Sequence, residues 1–406
     1  MPIMNKMATM ITTTKLIKVL HDGKATFWTM AGFPLKNVTS HAKIIDKKPV
    51  QDNGYTIYKN ELEEAYFGCN AQLKFFHPER HLYVLKDVWV TGSEGHLFFE
   101  PDTLFSVCSS LKGVKLKKIR RPIKSLAQII EELVFILSGR APGNRGHFLL
   151  EHLPRLVASL DIIQQFGGCK ILVTPRHRKW QIDYLKKLDI PESDIIEASI
   201  GTVFCKKAFY VPMLCEEKAA TMTYEKYYKY IRNKFIGDEK NIEKGLPVFL
   251  SRKDAPDRKL VNEDAIFFIS KSYFPGMKRV TLSGLSLNEQ IKLFQEAPVI
   301  IGPHSQPFRN LLFSSRSLSI QLIQGYRNAS NEYYNWAQNY NYIGSIGGNL
   351  CLPLFNGIEF YKNSNWIYPE DKFKKDITRL VSLLEQKKGT FKLLPATVSD
   401  FGTTEC

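Results

Sequence analysis

The sequence predicts an α/β protein with two parallel, doubly wound sheets. From residue 170 onward, and again from residue 247, short apolar runs alternate with segments of helical periodicity. This alternation is typical of parallel strands connected by helices. Ser286 followed by Glu289 forms a capping box, which opens a helix directly before the apolar run 299–302. The two runs therefore predict two sheets joined by a helical connection.

The part of the chain before residue 140 has a mixed character. Residues 1–60 show no periodicity and are predicted to be irregular. Residues 82–99 predict a β-hairpin, because β-branched and aromatic runs flank a glycine-containing turn. Ser125 with Gln128 predicts a further capping box and a helix over 126–137.

A basic cluster lies just before this predicted helix. Two interpretations stay open: a contact with phosphate or with an anionic membrane surface, or an exposed strand whose charges protect its edge. The seven basic residues are Lys112, Lys115, Lys117, Lys118, Arg120, Arg121 and Lys124.

The stretch 146–156 predicts an amphipathic helix with a charged stripe. His147, Glu151 and Arg155 are spaced i, i+4 and i+8, so they lie on one face of a helix. A carboxylate with an imidazole one turn before it and a guanidinium one turn after it is a candidate general base with orienting partners. The alternative is a helix whose charges are simply solvated. Pro154 predicts a kink just after Glu151.

The two α/β runs predict the remaining elements in order. The strands are 170–174, 195–197, 203–211, 247–250, 278–281, 299–302 and 318–323, and the helices are 179–188, part of 215–244, 262–270, 286–297, 333–340 and 373–386. Ser251, Arg252 and His304 follow predicted strands directly. Ligands of open α/β sheets bind outside the carboxyl ends of strands, so these residues are candidate ligand contacts.

Composition narrows the class of protein. Lys and Arg number 56 against 40 Asp and Glu, a formal net charge of +16, which favours anionic partners. The seven cysteines are scattered and include no C-x-x-C pair, so neither a zinc site nor a disulfide framework is expected. No apolar run reaches about 18 residues, and no compact signal-peptide core is present. The sequence therefore predicts a cytoplasmic protein, with peripheral contact to an anionic membrane surface as an additional expectation.

Residues 146–344 resemble glycosyltransferase family 61, which includes plant xylosyltransferases, secretory-pathway O-linked GlcNAc transferases and bacterial capsule-type enzymes. Four motifs carry the resemblance in the family's order, and the bacterial, cytosolic branch fits best because no N-terminal anchor is seen. The matching residues are His147, Glu151, Pro154 and Arg155; Ser251, Arg252, Ala255, Arg258, Asn262 and Glu263; Leu285, Ser286, Glu289, Gln290, Phe294 and Ala297; and Gly302, His304 and Asn310.

The resemblance implies a GT-B-like fold, in which two Rossmann-like domains face each other across a cleft. It implies an acceptor-side domain over 1–215 with an irregular or β-rich N-terminal extension, and a nucleotide-sugar-binding domain over 216–365. Residues 366–406 then supply a C-terminal helix that crosses back to the first domain, followed by a weakly ordered tail.

The implied activity is an inverting transfer of a sugar from a nucleotide-activated donor to a hydroxyl of a glycan or lipid-linked glycan, in cell-surface polysaccharide biosynthesis. No cofactor or obligatory metal is implied. Glu151 is the expected base, with His147 as its orienting partner or as the alternative base. The residues expected to bind the donor are Ser251, Arg252, Arg258, Glu263, His304 and Asn310.

The replaced glycines of the last motif and the positive net charge leave two other interpretations open. Ser305 and Pro307 replace the two inner glycines of the family's last motif, and both restrict the close backbone approach to phosphate that glycine allows. A polysaccharide-modifying transferase of the pyruvyl type would share the architecture and differ in its donor. A non-enzymatic nucleic-acid-binding protein would also explain the charge. It is the least favoured because aromatic residues do not alternate with the basic cluster, so no nucleic acid partner is expected.

Overall fold

The chain folds as two compact units. The computed structural model describes residues 14–21, 24–31, 42–44, 49–52, 54–77, 79–92, 95–99, 103–105, 122–139, 141–173, 178–198, 201–214, 222–237, 242–325, 332–359 and 364–387. The first unit comprises Met1–Tyr55 and Phe76–Tyr227, and the second comprises Thr56–Phe75 and Tyr228–Cys406. Both units contain a sheet and helices, so the predicted α/β class is confirmed.

The first unit contains a mixed sheet and a separate hairpin. Its strands are β1 (Thr14–His21), β2 (Lys24–Ala31), β3 (Ala42–Ile44), β6 (Tyr83–Thr91), β7 (His96–Phe99), β8 (Thr103–Phe105), β9 (Gln128–Ile136), β10 (Lys170–Val173), β11 (Ile195–Glu197) and β12 (Thr202–Tyr210). The sheet order is β11-β10-β9-β12-β6-β7-β8, with β3 on β6. Strands β9 to β12 run parallel, whereas β6, β7 and β8 are antiparallel. The predicted hairpin over 82–99 is confirmed as β6 and β7.

The helix predicted over 126–137 is wrong, because this segment forms the central strand β9. A short 3-10 turn, Lys124–Leu126, precedes the strand. β9 lies between β10 and β12 and runs parallel to both, and its end from Val134 to Leu137 is fully buried. The fully buried end of the strand is a short continuous apolar run, which periodicity cannot distinguish from a buried helix. The surrounding sheet therefore decides the conformation.

The described helices of the first unit follow β9 along the chain, and the last of them lies mostly in the second unit. They are the interrupted helix α2 (α-helical Arg145–His147, π-helical Phe148–His152 and α-helical Leu153–Val157), α3 (Leu160–Gln165), α4 (Arg178–Lys186) and α5 (Glu225–Ile236), which continues into the second unit. The charged segment 215–244 is thus helical only over α5 among its described residues.

The second unit is built on a largely parallel sheet. Its strands are β13 (Val248–Leu250), β14 (Lys278–Val280), β15 (Val299–Pro303), β16 (Leu318–Gln324), β17 (Leu350–Glu359) and β18 (Trp366–Ile367), in the order β14-β13-β15-β16-β17-β18. Among the described strands of this sheet, β18 alone is antiparallel to its neighbour. The helices are α6 (Glu263–Tyr273), α7 (Leu287–Glu296), α8 (Glu332–Ile346) and α9 (Glu370–Gln386). The capping box of Ser286 and Glu289 is present as predicted.

An early segment of the chain belongs mostly to the second unit. β4 (Gly54–Lys59) and β5 (Gln72–His77) form a two-stranded sheet and flank α1 (Glu61–Phe67). The prediction of irregular structure over residues 1–60 is wrong for the four strands β1 to β4, which lie within this range. α1 packs with α9, because Leu62 and Tyr66 share a core with Phe373 and Ile377.

Some predicted features lie outside the described residues. They are the basic cluster up to Arg121, the tail after residue 387 and the cysteines Cys108, Cys215 and Cys406. Where the structure describes the chain, none of its helices combines the length and apolar character that a membrane span requires.

Candidate functional site

The helix α2 begins at a side-chain cap and changes its geometry within one turn. The Asn144 side chain accepts hydrogen bonds from the backbone N–H groups of Gly146 and His147, at 3.0 and 3.3 Å. The N–H of Leu153 donates to the carbonyl of Phe148, five residues earlier, as in a π-helix. Pro154 follows this turn and has no N–H to donate. A π-helical turn therefore occurs where the sequence predicts a kink.

His147 and Glu151 are paired across this turn. The His147 Nδ1 and the Glu151 Oε1 form a hydrogen bond. The Glu151 side chain is only 1% exposed, whereas that of His147 is 15% exposed. The carboxylate therefore lies beneath the imidazole, and the imidazole is the more accessible of the two groups.

Arg155 does not take part in this pair as the sequence predicts. Its Nε donates to the carbonyl of Val211 at 2.6 Å, and its terminal nitrogens donate to the carbonyls of Ser138 and Ile136 at 3.2 and 3.3 Å. The guanidinium lies over the Tyr210 ring at 5.0 Å. Arg155 is almost completely buried and connects α2 to the ends of β9 and β12. The π-helical turn changes the angular spacing of residues, so the predicted stripe does not extend to Arg155.

In the second unit, Glu263 fixes the turn that follows β13. The Ser251 Oγ donates to Glu263 Oε1 at 2.5 Å, and the backbone N–H of Arg252 donates to Oε2 at 2.9 Å. Glu263 is buried at the first position of α6. Both carboxylate oxygens thus bind the end of the strand, and the guanidinium of Arg252 is directed elsewhere.

Two arginines follow this turn and share one carboxylate. The Arg252 Nη2 lies 3.4 Å from Asp257 Oδ1, and the Arg258 Nε lies 3.7 Å from the same oxygen. The Asp257 side chain is 53% exposed, so its charge is well screened by water. The Nε of Arg252 is buried with no hydrogen-bond partner among the described residues. Burial, followed by the charge of Arg258, lowers the pKa of Arg252.

His304 follows β15 and lies in the electrostatic field of three arginines. Burial is the largest cause that lowers its pKa to about 4, and Arg258, Arg252 and Arg309 lower it further. The His304 Nδ1 lies 2.9 Å from Gln321 Oε1. Because the Gln321 amide nitrogen donates to Asn341 Oδ1 at 2.7 Å, its oxygen is the acceptor, and Nδ1 carries the proton. His304 is therefore neutral near pH 7, and the positive charge of this cluster comes from the arginines.

Aromatic rings line the other side of His304. The ring of Tyr340 stacks on it with a centroid distance of 5.1 Å, and that of Trp336 lies at 6.3 Å. Both belong to α8, four residues apart. The Tyr340 hydroxyl accepts a hydrogen bond from the Arg309 Nε at 3.2 Å. Arg309 is thereby held beside the imidazole.

The segment after β15 forms a 3-10 helix, Gln306–Phe313, with Pro307 near its start. Ser305 precedes it, and its Oγ is buried without a hydrogen-bond partner among the described residues. The Asn310 side chain donates to Gln290 Oε1 at 3.0 Å, which attaches the segment to α7. Gly302 has a steric role, because a Cβ there would lie 2.4 Å from the carbonyl oxygen of Leu250.

The burial of His304 predicts a pH dependence of stability. The native state keeps the imidazole neutral down to about pH 4, whereas the unfolded chain takes up a proton below about pH 6.5. The free energy of unfolding should therefore fall as the pH decreases from 6.5 to 4, and this histidine should account for about 2–3 kcal/mol of the loss. Denaturant unfolding of wild type and His304→Asn at several pH values measures the difference. Parallel pH curves for the two proteins would contradict this assignment.

The structure groups the predicted site residues into two sets. His147 and Glu151 form a pair in the first unit. In the second unit, Ser251, Arg252 and Glu263 form one hydrogen-bonded turn. Arg258 and His304 are coupled to it electrostatically, and Asn310 bonds to α7 instead. The sequence reasoning missed Arg309, Gln321 and the α8 rings. A buried glutamine within the apolar run of β16 was the signal available for Gln321. No three His, Cys, Asp or Glu residues are grouped as metal ligands within the described ranges.

Residues 146–320 match the family model described as Glycosyltransferase 61. This segment begins at α2 and ends in β16, so it contains both sets of residues. No curated protein matches the sequence. The α/β architecture and the family match both support a glycosyltransferase. The match covers somewhat less than half of the chain, and over this segment it confirms the predicted resemblance to glycosyltransferase family 61.

Proposed function

We propose that this protein transfers a sugar, with inversion, from a nucleotide-activated donor to a hydroxyl of a glycan or lipid-linked glycan. The supporting observation is that Arg252 and His304 directly follow two neighbouring parallel strands, β13 and β15. Arg258 lies beside Arg252 at Asp257, and Arg309 is held next to His304 through Tyr340. Strand ends of this kind are where open α/β sheets bind ligands. The GT-B class, independence from metal ions, a cytoplasmic location and a role in cell-surface polysaccharide biosynthesis are parts of the same proposal.

The chemistry of the transfer matches the two sets of residues. As the bond between the anomeric carbon and the phosphate oxygen breaks, negative charge develops on the nucleotide. Fixed guanidinium groups stabilise such charge best when they are already oriented and partly desolvated. Arg252 is oriented by hydrogen bonds from its Nη2 to the backbone carbonyl and the carboxylate of Asp257, and by the turn that Glu263 holds. The acceptor hydroxyl must lose a proton in the same step, and the His147–Glu151 pair provides the group that accepts it.

A pair of matched variants tests the donor site. Arg258 and Arg316 both have left-handed backbone conformations, with φ of 51° and 50°. Glycine removes the backbone strain at either position, so both Arg→Gly variants should be about 0.5–1 kcal/mol more stable than wild type. Of these two arginines, Arg258 acts electrostatically on His304 and Arg316 does not. We therefore expect Arg258→Gly to weaken nucleotide binding about 10–100-fold, and Arg316→Gly to bind as wild type does.

Thermal shifts with UDP, GDP, ADP and CMP measure both effects, because a ligand that binds the native state raises the melting temperature. The same nucleotides linked to sugars identify the donor. If no nucleotide stabilises the wild type, or if Arg258→Gly responds to nucleotide as the wild type does, the proposed donor site is wrong. A pyruvyl-type donor that binds in place of nucleotides would favour the alternative transferase.

A further inference from the structure

We propose that His147 accepts the acceptor's proton through its Nε2, and that Glu151 is a positioning residue that acts through His147. This inference rests on the proposed transferase function and assigns its proton-accepting group. It selects the alternative that the sequence leaves open, in which His147 and not Glu151 is the base. The reasons are the burial of the two groups, the direction of their hydrogen bond and the way the helix holds them.

The burial of the pair favours the imidazole as the group that meets substrate. A general base must come within hydrogen-bond reach of the proton that it removes. The Glu151 side chain is 1% exposed, and one of its oxygens already binds His147. The His147 side chain retains 15% exposure. A sugar hydroxyl would therefore reach the imidazole before it reached the carboxylate.

The hydrogen bond fixes the tautomer of His147. An ionised carboxylate has only acceptor sites, so the bond from His147 Nδ1 to Glu151 Oε1 places the proton on Nδ1. In a neutral imidazole, Nε2 then carries the lone pair. As Nε2 gains a proton, the carboxylate stabilises the positive charge that develops on the ring. In Ser-His-Asp triads, too, a buried carboxylate orients the imidazole that takes up the proton and stabilises its positive charge.

The helix holds both groups in place. Asn144 fixes the first turn through the N–H of His147. The Phe148 ring in the next position is buried edge-on against Trp180 and Tyr184. The Arg155 guanidinium donates to the carbonyls of Ile136, the last residue of β9, and of Ser138, so this side chain has a structural role. The pair is thus positioned by packing on both sides of the π-helical turn.

The sugar transfer takes place in one step, in which one bond to the anomeric carbon forms and one breaks. The acceptor oxygen forms a bond to the anomeric carbon, and its proton passes to Nε2 of His147. The bond from the anomeric carbon to the donor's phosphate oxygen breaks, and its electron pair leaves with the nucleotide. The imidazolium then returns its proton to solvent. No oxidant, reductant or further reactant is required.

The test uses nucleotide release from a panel of UDP-, GDP- and CMP-sugars, with water as the acceptor. We expect His147→Ala to lower kcat about 10²–10⁴-fold while thermal shifts show unchanged nucleotide binding. Added imidazole should restore part of the rate, and formate should not. His81→Ala is the matched control, because His81 also pairs with a glutamate, Glu79 at 3.0 Å, in the same unit. This control should keep the wild-type rate.

The double variant separates a base from a positioning residue. If Glu151 acts through His147, adding Glu151→Ala to His147→Ala should cost little further rate. If formate instead restores Glu151→Ala, or if His147→Ala keeps a wild-type kcat, the assignment of His147 is overturned while the transferase function stands. If the wild type neither binds nor cleaves any sugar nucleotide, the proposed function fails, and this inference fails with it.

Discussion

Replacing Arg155 by alanine is expected to lower the free energy of unfolding by about 3–5 kcal/mol. The guanidinium donates to the carbonyls of Ile136, Ser138 and Val211 and covers the Tyr210 ring. Alanine leaves three carbonyls in a buried position without these donors and creates a cavity beside the central strand. Lysine should recover part of the loss, because it supplies donors but not the planar fork.

Arg145 provides a matched control for this variant. Arg145 is the first residue of α2 and is exposed. Its guanidinium lies 6.0 Å from the centroid of the Trp180 ring. Arg145→Ala should therefore change the unfolding free energy by less than about 0.5 kcal/mol. Urea unfolding of both variants measures the difference. Equal losses would show that Arg155 does not stabilise the ends of β9 and β12.

Replacing Gly302 by alanine is expected to cost about 3 kcal/mol or more. The new Cβ would lie 2.4 Å from the carbonyl oxygen of Leu250 and 3.0 Å from its Cβ. Backbone of β13 and β15 would have to separate, and the strand ends that carry Arg252 and His304 would move with it. The variant should therefore lose both stability and nucleotide binding.

Gly284 allows the same substitution without a clash, since nothing lies within 4 Å of the position of its Cβ. Gly284→Ala should be within about 0.5 kcal/mol of wild type and should bind nucleotide normally. Unfolding curves and thermal shifts on the two variants give both readouts. A well-folded Gly302→Ala protein with normal binding would contradict the steric role of this glycine.

Local signals predict much of the second unit and less of the first. The capping box of Ser286 and Glu289 satisfies backbone donors within one turn, so it can be recognised without knowledge of the fold. The pair Ser125 and Gln128 has a similar pattern but precedes a strand, because parallel neighbours on both sides determine the structure of β9. Propensity is a weak guide when a segment is buried in a sheet.

The same distinction applies to the candidate site. The spacing of His147 and Glu151 predicts their contact, since four residues bring side chains together on a helix. The role of Arg155 could not be predicted, because its partners come from two strands and because a π-helical turn intervenes. Arg309 and Gln321 are coupled to His304 only through tertiary packing.

The position of α1 has a consequence for synthesis on the ribosome. The Tyr66 hydroxyl donates to Asp376, which lies 310 residues later in the chain. At about 5–20 residues per second, α1 waits roughly 15–60 s for its partner to be translated. During this time Leu62 and Tyr66 lack the helix that buries them, so the nascent chain offers an early binding site for chaperones. An mRNA truncated before the codons of α9 would yield a protein in which Leu62 and Tyr66 stay exposed. Such a truncated protein would be a substrate for proteolysis.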